Sequence, residues 1–112
     1  MPRIKENEFF TVMVEFEVDP TYQQALIDGI ADQVEQHFTH FTGFVSASFH
    51  ASENGSRVVN YGQWLSKEAW ESSSPATGFD IAKASIAEVI KRCGARTVEV
   101  DTFQVTQVIE KT

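Results

Sequence analysis

Between Val58 and Leu65 the sequence Val-Val-Asn-Tyr-Gly-Gln-Trp-Leu places an amide and an indole inside a run that otherwise reads as a buried strand. Side chains alternate faces along a strand, so Asn60, Gly62 and Trp64 share one side, and Tyr61, Gln63 and Leu65 share the other. At a rise of about 3.3 Å per residue, Asn60 and Trp64 stand roughly 13 Å apart, and Gly62 leaves the interval between them without a side chain. A flat ring system fits such a platform. An amide at one end and an indole N–H at the other suit a planar, partly polar aromatic ligand that carries oxygen substituents. A buried amide without partners costs about 1–3 kcal/mol, so Asn60 is either a satisfied core group or a ligand-binding one. Trp64 taken alone is equally compatible with core packing.

Other residues could join this surface. Trp70 follows Trp64 by six positions and either closes one side of a cavity or pins its own short helix to the sheet. A two-residue Asn54-Gly55 turn pairs Glu53 with Ser56, which sets Phe49 opposite Asn60 and His50 opposite Val59. That register turns His50 away from Asn60 and Trp64, whereas a bulge or a three-residue loop would bring it round. His50 is then a candidate general base, as imidazoles commonly are, and Phe49 and His50 both stand as candidate substrate-binding residues. His37 and His40 are three apart near the end of a helix, where cationic side chains complement the helix dipole; a metal would need a third ligand that the sequence does not offer. Glycine-rich phosphate loops, cysteine pairs and nucleophile-elbow motifs are absent, which sets aside nucleotide, zinc and acyl-transfer chemistry and implies no bound cofactor.

The elements that position these residues follow from periodicity. Phe10, Val12, Val14, Phe16 and Val18 alternate with Thr11, Met13, Glu15 and Glu17, a half-buried strand. Asp19-Pro20 reads as an N-cap and first helical residue, and Tyr22, Leu26, Ile30, Val34 and Phe38 then recur every fourth position with Ala25 beside them. Phe44–Ala51 and Arg57–Leu65 are two strands joined by a hairpin. Ser66 caps a short helix from Lys67 to about Ser72, and Ser74-Pro75 breaks the chain. Phe79, Ala82, Ile86, Val89, Ile90 and Cys93 mark one face of a helix that Gly94 stops. From Arg96 to Ile109 the chain is β-prone without a turn residue, so a strand of that length should span two environments.

The order strand, helix, strand, strand, helices, strand predicts an α+β fold: a ferredoxin-like antiparallel sheet with helices on one face. Met13, Tyr61, Leu65 and the last strand would remain uncovered on the other face, which predicts a homodimer packed sheet to sheet as a dimeric α/β barrel. The 112 residues are expected to form a single domain, and 42% hydrophobic residues with nine Phe suffice for an aromatic-rich core without a metal or disulfide. A net charge of −7 with no basic cluster repels nucleic-acid phosphates and anionic membranes. Cys93 alone cannot form an intrachain disulfide, Met1 to Asn7 lacks an apolar targeting core, and no run approaches the ~18 apolar residues of a membrane span. A cytoplasmic protein is expected.

The run from Gly43 to Trp64, with Asn60-Tyr61-Gly62-Gln63-Trp64 at its end, followed by Ser66-Lys67-Glu68-Ala69, resembles the antibiotic biosynthesis monooxygenase domain family. It looks most like the branch of cofactor-free oxygenases that act on anthrone-type polyketide intermediates, where an Asn and a Trp four residues apart line the cavity. Asn60 and Trp64 match them. The resemblance covers most of the chain and implies a small dimeric barrel, a polycyclic phenol and O₂ as substrates, and oxidation to a quinone with no flavin, haem or metal. It also implies that Asn60 stabilises an oxyanion and that Trp64 donates a hydrogen bond to a substrate or peroxide oxygen. Where that branch places a later tyrosine and arginine, this chain offers Trp70 and Lys83. Two alternatives stand beside this reading: a non-catalytic protein that sequesters an aromatic metabolite, and a quinol- or haem-degrading monooxygenase of the same fold. The haem version needs an axial histidine, usually after the tryptophan, and no histidine follows His50.

Overall fold

The computed structural model describes residues 4, 9–73 and 77–111. Four strands and three helices follow one another as β1 (Phe10–Glu17), α1 (Gln23–His37), β2 (Phe44–Ala51), β3 (Arg57–Trp64), α2 (Lys67–Ser73), α3 (Thr77–Arg92) and β4 (Arg96–Gln104), with short 3₁₀ turns at Pro20–Tyr22 and Phe38–His40. The strands form one antiparallel sheet in the order β2-β3-β1-β4, as the ferredoxin-like reading requires. The expected break at Ser74-Pro75 and the side chain of Phe79 lie outside the described residues.

The helices cover the sheet face that carries Phe10, Val12, Val14 and Phe16. Phe16 and Val18 pack with Leu26, Ile30 and Val34 of α1, Val58 of β3, and Val89 and Cys93 at the end of α3. A second cluster gathers Phe10, Val12 and Trp64, with Phe38, Phe41, Phe44 and Trp70 around it. The helical stripe departs from expectation at its start, where Tyr22 and Ala25 are exposed. Asp19 Oδ1 accepts from Thr21 N at 2.9 Å, but it caps a 3₁₀ turn, and the α-helix proper begins at Gln23. α1 and α3 approach closely at Gly29, where a Cβ would fall 2.6 Å from Val89 Cγ1. Gly94, at φ 63°, stops α3 with the paired bonds of a Schellman turn, Ala95 N to Ile90 O at 3.0 Å and Gly94 N to Lys91 O at 3.1 Å.

The β2–β3 hairpin closes differently from expectation and keeps the expected register. Ser52 N donates to Arg57 O and Gly55 N to Ser52 O, each at 3.1 Å, so the loop runs from Glu53 to Ser56 rather than over Asn54-Gly55 alone. Side chains supply the reason: Asn54 Oδ1 accepts from Ser56 N at 3.0 Å and Ser52 Oγ from Arg57 N at 2.9 Å, in place of a further ladder pair. Gln23 Nε2 donates to Ser52 O at 3.1 Å and Arg57 O at 2.9 Å, tying the hairpin to α1. Lengthening the loop by one residue on each side leaves Phe49 facing Asn60 and His50 facing Val59.

The last strand is shorter than expected. It ends at Gln104 because β1, its only ladder partner among the described residues, begins at Phe10, the residue paired with Gln104. Every residue of β4 is exposed. The helices therefore roof β1, β2 and β3 and leave the β4 side open.

Candidate functional site

Register decides which side chains share the roofed face. Asn60 pairs with Val14, Gly62 with Val12 and Trp64 with Phe10 across the β1–β3 ladder, so the polar residues rise from the middle of an apolar floor. On the other flank, Gly62 faces Ala47, and the register shifts between Phe44 and Ser46. This bulge at Val45 turns Phe44 to the Trp64 side, where strict alternation from Ala47 would have pointed it away.

Over this floor lies a cavity of about 670 Å³, of the size that takes a drug-sized or polycyclic molecule. Asn60, Gly62 and Trp64 line it together with Val12, Val14 and Ala47. Phe38 and Ile86 contribute to its apolar wall, while Trp70 and Glu71 of α2 and Lys83 of α3 bring indole and charge to it. Thr97 and Val100 line the β4 side. Glu71 and Lys83 are exposed, so their charges remain hydrated at the rim.

Trp64 is only 3% exposed and held on several sides. Phe44 meets it edge-on at 5.5 Å between ring centroids, and Phe41 lies nearly parallel at 6.4 Å. Trp70 packs on Phe10 at 5.7 Å, which fixes α2 against the sheet while its ring still lines the cavity. Both alternatives for Trp70, wall and pin, therefore hold. The indole N–H of Trp64 has no protein acceptor among the described residues. Asn60 Oδ1 is sealed from solvent and accepts no hydrogen bond. The amide nitrogen is consequently the end of this side chain that the cavity reaches, and it too has no protein partner among the described residues. Fixed donors without a protein partner in a largely apolar space are suited to a ligand oxygen that gains negative charge.

Two of the candidate substrate-binding residues, His50 and Phe49, do not reach the cavity. His50 points to the opposite sheet face, where its ring stands edge-on to Tyr61 at 6.5 Å, because the pairing with Val59 fixes its side. Phe49 shares the face of Asn60 but packs against the main core and does not line the cavity. No histidine lines the cavity among the described residues, so the haem-degrading alternative lacks an axial ligand there. No group of three His, Cys, Asp or Glu side chains converges among the described residues, around His37 and His40 included. Sequence reasoning missed Phe44, Glu71, Thr97 and Val100. Glu71 was legible in principle, as the neighbour of Trp70, whereas Phe44 depended on the bulge.

A family model described as antibiotic biosynthesis monooxygenase matches residues 9–97. Tetracenomycin-F1 monooxygenase of Streptomyces glaucescens is 43% identical over 60 residues, which are 54% of this chain and 54% of that protein, so the match spans about half the length of this curated relative. Among solved structures, a monooxygenase from the gene ActVA-Orf6 of Streptomyces coelicolor, in complex with nanaomycin D, is 28% identical with a TM-score of 0.73, and the match covers 95% of each chain. SnoaB, a cofactor-independent oxygenase from Streptomyces nogalater, shares the fold at a TM-score of 0.65 and 15% identity, over 93% of this chain and 99% of its own.

Proposed function

Since the chain belongs to the antibiotic biosynthesis monooxygenase family, we propose that it oxidises an anthrone-like polycyclic phenol to a quinone with O₂, needing no bound cofactor, in aromatic polyketide biosynthesis. One observation carries this reading: the Asn60 amide and the Trp64 indole N–H stand unpaired among the described residues in a largely apolar, ring-sized cavity. A ligand oxygen would supply the acceptor that these two donors do not find among the described residues.

The substrate supplies the electrons. Its CH₂ carbon loses a proton to give an enolate, whose negative charge the Asn60 N–H stabilises. The enolate passes one electron to O₂, and the radical pair combines to form one C–O bond. Protonation of the distal oxygen gives a hydroperoxide. Loss of the second C–H proton with cleavage of the O–O bond leaves a carbonyl and water, so CH₂ + O₂ becomes C=O + H₂O. Trp64 donates to the peroxide oxygen, and the apolar walls keep bulk water from the intermediate. Trp70 provides a flat face for the rings.

The chain acts as one domain over residues 1–112, and two copies pair through the sheet face that the helices leave bare, forming a dimeric barrel. Phe103, 45% exposed on that face, and Leu65, 52% exposed, support the pairing. The proposed site of action is the cytoplasm; no helix among the described residues is long and apolar enough to cross a membrane.

The test is O₂ uptake with a soluble anthrone such as dithranol, using metal-free protein, an Asn60→Ala variant and an enzyme-free blank. Uptake above the blank that falls in the variant supports the oxygenase. Saturable quenching of tryptophan fluorescence by dithranol, with uptake no faster than the blank, supports a sequestering protein instead.

A further inference from the structure

The space directly over Gly62 is bounded on three sides. A Cβ at this position would lie 3.3 Å from the carbonyl oxygen of Val12, 3.8 Å from Trp64 Nε1 and 4.0 Å from the carbonyl oxygen of Ser46. The glycine thus opens a niche one small group wide, with the indole N–H on its border and Asn60 roughly 7 Å back along the same strand face. We infer that this niche is the dioxygen subsite, which holds O₂ and then the peroxide, while the aromatic rings lie along Val12, Val14, Ala47 and Trp70. This inference rests on the oxygenase reading above.

Size, polarity and charge all favour this division of the cavity. A diatomic molecule needs little more than the space of the side chain that Gly62 lacks, whereas a fused ring system needs the length of the apolar floor. O₂ is apolar and weakly hydrated, so it loses nothing on entering a buried site. Once it takes an electron from the enolate it is an anion, and a donor must already be at hand, because rearranging one during the reaction would slow it. Trp64 Nε1 is held there by Phe44 and Phe41. The carbonyl oxygens of Val12 and Ser46 suit the following state, in which the distal oxygen has gained a proton and its O–H needs an acceptor. Gly62 is therefore a specificity position for the gaseous substrate: any side chain would occupy the place where O₂ meets the ring carbon.

The experiment is a two-substrate kinetic comparison of wild type and Gly62→Ala, varying O₂ and dithranol independently. A methyl in the niche is expected to raise KM for O₂ about tenfold and to leave KM for dithranol within about twofold, since one added methyl typically discriminates ligands by such factors. An unchanged KM for O₂ with a raised KM for dithranol overturns the subsite while leaving the oxygenase standing. Wild-type uptake no faster than the blank overturns both. Should the variant fail to fold, xenon-pressurised crystals of the wild type decide independently: a xenon atom over Gly62 is expected, and xenon elsewhere in the cavity but not there overturns the subsite.

Discussion

Asn60 and Val14 face each other across the β1–β3 ladder, so the one buried side-chain atom without a hydrogen-bond partner among the described residues stands between the two central strands of the sheet. None of the described residues offers Oδ1 a donor. On the proposed function, stability and activity are therefore set against each other at this position.

Replacing the amide with an apolar, β-branched side chain should separate the two. Asn60→Val is expected to raise the free energy of unfolding by about 1 kcal/mol, from removal of the unpaired polar atom and from better strand propensity. The same change should lower kcat/KM for dithranol about 100-fold, the usual loss when a donor to a developing oxyanion disappears. Urea denaturation and an oxygen electrode measure the pair. A less stable variant with intact turnover would assign Asn60 to the core.

Trp64→Phe keeps a ring among Phe38, Phe41 and Phe44 and deletes only the indole N–H and part of the ring area. The expected outcome is a fall in kcat of about tenfold or more, with release of superoxide or hydrogen peroxide into solution as the intermediate loses its donor. A peroxidase-coupled dye assay reads the leak. Full kcat with no leak would leave Trp64 as a packing residue.

The α1–α3 crossing makes a prediction whose sign opposes helix propensity. Ala for Gly inside a helix is ordinarily worth about 1 kcal/mol in its favour. At Gly29, however, the new methyl would sit 2.6 Å from a Val89 methyl, and a β-branched side chain gives way poorly. Gly29→Ala should therefore destabilise the protein by about 1–2 kcal/mol, as overpacked cores do, visible as a lower thermal midpoint. A raised midpoint would mean that the two helices separate at little cost.

Pairing through the bare sheet face predicts a dimer of the full chain by light scattering. Tyr61→Glu combined with Phe103→Glu places like charges on that face in both copies and should shift the protein to monomer at micromolar concentration. A wild-type protein already monomeric under those conditions would leave Met13, Tyr61 and Phe103 to be explained in another way.

Much of this architecture was legible in the sequence because it depends on local period. Alternation in β1 gave its buried face, and the fourfold stripe of α1 gave Leu26, Ile30 and Val34, all now buried. Tyr22 escaped because the helix entry is a 3₁₀ turn, which rotates residues by a different angle from an α-helix. The hairpin showed that one register can arise from two loops: Asn54 and Ser52 bond the backbone themselves, lengthening the loop symmetrically and leaving Phe49 against Asn60. The end of β4 was not legible from its own residues, since it is set by where β1 begins.

The sequence by itself determined that Asn60, Gly62 and Trp64 share one face, because a period of two residues is a property of any strand. It also determined that His50 lies on the other, given a loop of even length. Only the tertiary structure decided what that face does. The bulge at Val45 swings Phe44 onto the indole, α2 brings Trp70 and Glu71 over the sheet, and the helices close on the floor without filling it. Whether an amide in a strand is satisfied or left for a ligand depends on partners distant in the chain, and for Asn60 the fold supplies none among the described residues.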